Sequence, residues 1–198
     1  MNKKVAEFFA TVCYIGKIKY ATGTVGSLSA FPLCYVIMYS TLNNQIVFHI
    51  EECSVIERQI ITLVIIELLA TLLLFVLGMY FTTIYIRGSE EQDPKEVVID
   101  EVAGQMLVII LGSFSVILAF ERKLTEHFDV RIIDFIFLFL LPFLLFRTFD
   151  IVKPWPINWL DQNVKGALGI MIDDIAAAIF AVVVHYVIVF FILDLYAG

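Results

Sequence analysis

Long apolar stretches separated by short polar segments set the pattern of this chain. Three windows of 19 residues, Leu68–Ile86, Val102–Phe120 and Ile175–Leu193, contain no Asp, Glu, Lys or Arg, and the last carries only the titratable His185. At about 1.5 Å of rise per residue each window reaches roughly 28 Å, the hydrocarbon thickness of a bilayer. These three are predicted to be transmembrane helices. Two further segments fit less cleanly. Ser27–Phe48 is uncharged but interrupted by Pro32 and by Asn43-Asn44-Gln45, and Ile132–Phe146 contains Asp134 and a kink signal at Pro142. The pattern therefore predicts an all-α, multi-pass helical membrane protein with about five transmembrane helices, four being possible.

Ahead of the first span, Lys3 and Lys4 precede the apolar run Phe8–Ile15, and Lys17 and Lys19 follow it without an A-x-A cleavage pattern. Residues 1–20 read as an amphipathic surface segment, not a cleaved signal. With five spans, segments 1–20, 87–99 and 147–165 share one side and carry nine of the 13 basic residues. The positive-inside rule assigns that side to the cytoplasm. The same parity brings together residues 16–27, 87–101 and 147–174, where most of the unusual chemistry lies. No internal repeat or linker divides the chain, so residues 1–198 are expected to form one integral-membrane domain.

Composition narrows the classes. Hydrophobic residues make up 61% and charged residues 17%, with a mean hydropathy of +0.92, which argues against a soluble domain and against disorder. A net charge of −7 without a basic tract disfavours nucleic acid as a partner. Cys13, Cys34 and Cys53 form no CxxC and imply neither a disulfide framework nor a zinc site. Cys53 and Arg58 are one residue short of a cysteine-phosphatase loop, and no Ser-His-Asp arrangement or Walker A loop is present.

Acidic, metal-dependent chemistry remains. Asp100-Glu101 precedes the span Val102–Phe120, and Asp173-Asp174 precedes Ile175–Leu193. Helix macrodipoles alone favour carboxylates at such positions. Two pairs on one membrane face also allow one carboxylate from each helix to converge on a hard cation such as Mg²⁺; neighbouring residues of one pair point about 100° apart, so a single pair is not expected to chelate. Arg147, Asp150 and Lys153 are spaced by threes, as one helical face requires, although basic residues near Trp155 and Trp159 also suit anionic head groups. Gly166-Ala167-Leu168-Gly169 offers a weak anion-binding signal. Thr22-Gly23-Thr24-Val25-Gly26-Ser27 reads as a flexible, hydroxyl-rich turn that either bonds phosphate through Thr24 and Ser27 or caps the first span.

These blocks, taken together, resemble one family. G-T-V-G-S at 23–27, Asp93-Pro94 with V-V-I-D-E-V-A-G at 97–104, F-R-T-F-D-I-V-K-P-W-P-I at 146–157, Asp161, and G-A-L-G-I-M-I-D-D at 166–174 resemble phosphatidylglycerophosphatase A, in the family's order. Thr22 stands where the family usually has proline, and Ala178 where glycine is common. The resemblance implies a Mg²⁺-dependent phosphatase of the bacterial inner membrane that acts on a membrane phospholipid, phosphatidylglycerophosphate, at the cytoplasmic face. On that footing Glu101, Asp173 and Asp174, with Asp100 and Asp150, are the expected metal-holding and catalytic residues. Arg147 and Lys153, with Thr24 and Ser27, are the expected phosphate ligands. Water and a carboxylate both remain open as nucleophile. Two rivals stand beside this reading: a small transporter built on Glu67, Asp134 and His185, and a phosphatase for another lipid phosphate. The first is disfavoured by the expectation that Glu67 lies just outside its span.

Overall fold

A computed structural model describes residues 2–50, 53–89, 91, 93–120 and 135–197. Among them the regular structure is helical: α1 (Lys3–Ala10), a 3₁₀ turn (Ile15–Lys17), α2 (Thr22–Asn43), α3 (Val55–Ile86), α4 (Ile99–Phe120), a π-helical segment (Phe135–Leu140) running into α5 (Leu141–Val152), α6 (Ile157–Asn163) and α7 (Gly166–Ala197). Five stretches are long and apolar enough to cross a membrane: Thr22–Asn43, Val55–Ile86, Ile99–Ile117, Phe135–Val152 and Gly166–Ile192. The chain is a multi-pass helical protein with five spans, as the apolar pattern predicts.

Three boundaries correct the sequence reading, each because charged or polar residues inside a helix hid its true start. Helix α3 begins at Val55, well before Leu68, under a capping box in which Ser54 Oγ accepts from Glu57 N at 3.3 Å and Glu57 Oε2 accepts from Ser54 N at 2.7 Å. Glu67 therefore lies within the span and is buried, not outside it. Helix α7 begins at Gly166, so Asp173-Asp174 sits two turns inside the helix instead of before it. Helix α2 begins at Thr22, and the expected turn 22–27 is its first turns. Thr22 holds the first helical position, where proline is favoured, so it fits the backbone that the family's proline would. Residues 132–134, including Asp134 of the transport reading, lie outside the described residues.

The central element is α4. Two thirds of its membrane window is buried, against 28% or less for the other four. A helix apolar on all sides must be surrounded, and Val102, Ala103, Met106, Val108 and Ile110 are almost wholly buried. Ala30 and Cys34 of α2 pack on Val102, Met106 and Ile110, while Phe146, Ala177, Ala178 and Ala181 gather around Val108. Leu69, Leu72, Leu73 and Val76 of α3 stay exposed, as a lipid-facing stripe should. Helix α1 lies against α3, with Phe9 stacked on Phe81 at 4.4 Å between ring centroids.

In the apolar interior His185 is wholly buried and hydrogen-bonded on both nitrogens, to Ser115 Oγ at 3.0 Å and to the Phe137 carbonyl at 2.9 Å. A carbonyl only accepts, so Nε2 is the donor there and the imidazole ties α7 to the π-helical segment. This is the hydrogen-bonding role its mid-span position suggests. The starts of α2, α4 and α7 and the ends of α3 and α5 all come to one end of the bundle, which is the parity that five spans require.

Candidate functional site

Four helix segments build the site. The first turn of α2 brings Thr22 and Gly23, the first turn of α4 brings Asp100 and Glu101, the last turns of α5 bring Arg147 and Asp150, and the third turn of α7 brings Asp173 and Asp174. With Asp93, Lys95 and Lys153 they line a pocket of about 270 Å³.

Carboxylate oxygens of Asp100, Glu101 and Asp174 lie within 4.8 Å of one another. Both members of the first pair thus reach one point together with Asp174 of the second. Glu101 is one methylene longer than Asp100 and reaches the same point from the neighbouring position. Asp100 Oδ1, Glu101 Oε2, Asp173 Oδ1 and Asp174 Oδ2 are buried without any hydrogen-bond partner. Unpaired buried carboxylate oxygens are costly, and an all-oxygen, anionic donor set is what a hard cation such as Mg²⁺ compensates. The residues present therefore fit such an ion. Helix-dipole stabilisation, the competing explanation, fades beyond the first turn and does not reach Asp173 and Asp174.

Arg147 stands beside this cluster. Its Nη1 donates to Asp150 Oδ2 at 2.5 Å and to Ser27 Oγ at 3.3 Å, while Ser27 Oγ donates to the Gly23 carbonyl at 2.8 Å. Ser27 is fully buried and positions the guanidinium; Thr24 lines an adjoining cleft with Arg147. A Cβ on Gly23 would fall 2.4 Å from Glu101 Oε1 and 2.9 Å from both terminal nitrogens of Arg147. A side chain at 23 would have to displace the tips of Glu101 and Arg147, so glycine gives the backbone of α2 its close approach to this acid and base.

Lys153 departs from the expected helical face. It ends α5 in the left-handed conformation (φ 43°, ψ 61°), which costs a non-glycine residue about 1–2 kcal/mol. Its Nζ turns to Asp161 Oδ1 at 2.7 Å and Asp173 Oδ2 at 2.5 Å. Burial by itself lowers the pKa of this ammonium, but the hydrogen bonds to Asp161 and Asp173 outweigh it and hold it above the ordinary lysine value. A raised lysine pKa keeps the stabilised, charged form at every pH below it, so this strut does not titrate in a working range. Asp173 is thereby engaged by Lys153 through one oxygen and stands beside the three-carboxylate group. Lys153→Met is expected to leave Asp173 uncompensated and to destabilise the protein by about 3 kcal/mol, the low end for breaking a buried ion pair. Thermal unfolding in detergent checks this; an unchanged melting temperature with lost turnover would make Lys153 a substrate ligand instead.

Glu67 and His185, the groups on which a transport reading draws, do not line this pocket. Gly23, Asp93 and Lys95 do, and were not among the expected site residues. Their signal was available, since each falls inside or beside a block singled out for its resemblance.

The family model for phosphatidylglycerophosphatase A matches residues 8–189. The chain belongs to the phosphatidylglycerophosphatase A family. Among the family's curated members, phosphatidylglycerophosphatase A of Escherichia coli is 52% identical over 44 residues, covering 22% of this chain and 26% of that protein. Phosphatidylglycerophosphatase A of Haemophilus influenzae is 51% identical over 51 residues, covering 26% of this chain and 31% of that protein. The chain thus spans less than a third of the length of the curated relatives it matches. No solved structure matches it significantly.

Proposed function

We propose that this protein, with Mg²⁺, hydrolyses the terminal phosphate monoester of phosphatidylglycerophosphate to phosphatidylglycerol and inorganic phosphate. Membership of the family and the likeness to phosphatidylglycerophosphatase A of two bacteria support the reaction and the substrate. The observation that carries it is the group Asp100, Glu101 and Asp174 beside Arg147 at the mouth of a membrane bundle. That is an anionic cradle next to a cation, at one end of the apolar helices.

In this reading Asp100, Glu101 and Asp174 hold the ion, which when bound neutralises charge on the phosphoryl oxygens. Arg147, oriented by Asp150 and Ser27, binds the phosphate with its planar fork of donors. Gly23 brings backbone against Glu101 and Arg147. Asp173, Lys153 and Asp161 fix the start of α7, and with it Asp174. Net reaction breaks the phosphorus–oxygen bond to glycerol and forms one to an oxygen from water. The glycerol oxygen leaves with a proton.

Phosphate release from phosphatidylglycerophosphate in detergent tests the proposal. The protein should turn over with Mg²⁺, stop in EDTA and recover on adding Mg²⁺ back. A folded, pure protein that stays inert with Mg²⁺ present would sink it.

We further place this end of the bundle on the cytoplasmic side of a bacterial inner membrane, on the strength of the nine basic residues gathered there. Single cysteines at Asn163 and Asn44, in a background without Cys13, Cys34 and Cys53, are expected to label from opposite sides with an impermeant thiol reagent. In intact cells Asn44→Cys should react and Asn163→Cys should not. Reaction of both from outside would contradict the topology.

A further inference from the structure

Beside the carboxylate pocket lies a second cleft of about 460 Å³, and the two share Thr22, Gly23, Lys95 and Arg147 in their walls. Their charges are opposite in character. Acids dominate the first. In the second, Lys17, Lys19, Lys95 and Arg147 face a single lining carboxylate, Glu96, whose Oε2 already accepts from the Tyr85 hydroxyl at 2.5 Å. Lys17 is bonded to Glu7, whereas Lys95 is exposed and forms no ion pair with any described residue, and Lys19 only rests over the Tyr20 ring at 5.7 Å.

We propose that this second cleft binds the phosphodiester of the lipid substrate, with Lys95 and Lys19 as its principal cations, while the carboxylate pocket receives the terminal monoester. The inference rests on the reaction proposed above. In that substrate a single glycerol unit separates the two phosphates, so their sites must adjoin, as these two do through Arg147 and Lys95.

The cleft is built, not incidental. Residues 10–21 and 93–98 are locked together: Val98 N donates to the Ala10 carbonyl at 3.1 Å, and a Cβ on buried Gly16 would fall 1.9 Å from the Glu96 carbonyl oxygen. Glycine at 16 thus lets the Lys17–Lys19 loop sit directly on the loop that carries Lys95. Exposed Ile18 and Tyr20 alternate with Lys17 and Lys19, the mixture of apolar stem and cationic tip suited to head-group depth. Without the cleft's cations, the charged lining residue left to face a diester is Glu96.

Kinetics of the full-length protein in neutral detergent micelles, which carry no other anionic lipid, test the assignment. Two product inhibitors separate the two sites: phosphatidylglycerol keeps the diester and lacks the monoester, and inorganic phosphate does the reverse. For Lys95→Met and Lys19→Met, KM for phosphatidylglycerophosphate and the inhibition constant of phosphatidylglycerol should each rise about tenfold, the scale of one charged hydrogen bond. In Lys19→Met, whose lysine lines the second cleft and not the carboxylate pocket, inhibition by phosphate should stay within twofold and the melting temperature should not move. An active wild type with both variants unaffected overturns the diester site alone. So does a weakening of phosphate inhibition equal to that of phosphatidylglycerol, which would make the lysines a general field. A defect that appears only when anionic vesicles replace micelles assigns them to bulk head groups and likewise overturns it. A wild type that releases no phosphate at all overturns the proposed reaction first.

Discussion

Glu101→Gln and Asp174→Asn are each expected to lower Mg²⁺-dependent phosphate release about 10²–10³-fold, the loss that follows removal of one strong electrostatic stabiliser of the transition state. Both substitutions preserve side-chain size and remove one negative charge from the group whose oxygens lie within 4.8 Å. A neutral amide oxygen is a poorer ligand for a divalent cation. Stability should rise or hardly change, since Glu101 Oε2 and Asp174 Oδ2 have no hydrogen-bond partner to lose. Removing one of several crowded carboxylates also relieves repulsion. Were Glu101 only a helix-start stabiliser, its variant would lose about 0.3–1 kcal/mol of stability with turnover intact. The two explanations therefore differ in which measurement moves. Asp173→Asn is a useful third variant, because Asp173 is bonded to Lys153 at 2.5 Å and should show part of its effect in the melting temperature. Turnover within threefold of wild type for both Glu101→Gln and Asp174→Asn, at saturating Mg²⁺, would place the ion elsewhere.

Hydropathy located all five spans, because a bilayer demands long apolar runs and tolerates few charges within them. It misjudged where they begin for the same reason. A window that rejects every charge stops at Glu67, although that side chain is buried within α3, and it ignores the S-x-x-E capping box at Ser54–Glu57 that marks the true start. Helices α3 and α7 have 32 residues each, about 48 Å at 1.5 Å per residue and well beyond a 30 Å hydrocarbon layer. The excess length lets Asp173 and Asp174 lie two turns inside a helix and still reach the polar interface. Residue types in the site were legible, since two acidic pairs and the Arg147–Asp150 spacing stand out in the chain. Their partners were not. That Lys153 reaches back to Asp161 and Asp173, and that Ser27 serves Arg147, depends on a left-handed residue at the end of α5 and on the approach of α2. Neither is encoded in spacing along the sequence. Gly23 was the most informative residue to be overlooked, for its lack of a side chain matters only once Glu101 and Arg147 are known to lie against it.

Arg147→Lys should lower kcat/KM for phosphatidylglycerophosphate about 10–150-fold, equivalent to losing a charged hydrogen bond of about 1.5–3 kcal/mol. The conservative change is the sharper test here. Lysine keeps the positive charge that a general attraction to anionic head groups requires, yet loses the planar fork that bonds Asp150 and Ser27 on one side and leaves donors for phosphate on the other. Arg147 Nε is buried without a partner, so the guanidinium is oriented by its terminal nitrogens alone and a shorter list of donors cannot reproduce it. Lys165, exposed just before α7, supplies the control for surface charge. Lys165→Ala should stay within twofold of wild type. The pattern also separates binding from structure: if Arg147 binds phosphate, inhibition by inorganic phosphate weakens in Arg147→Lys. If it only braces Asp150, phosphate inhibition is retained and the melting temperature falls. Equal activity of Arg147→Lys and wild type, with Asp150 still in place, would show that charge alone suffices and that the fork of donors has no part in recognition.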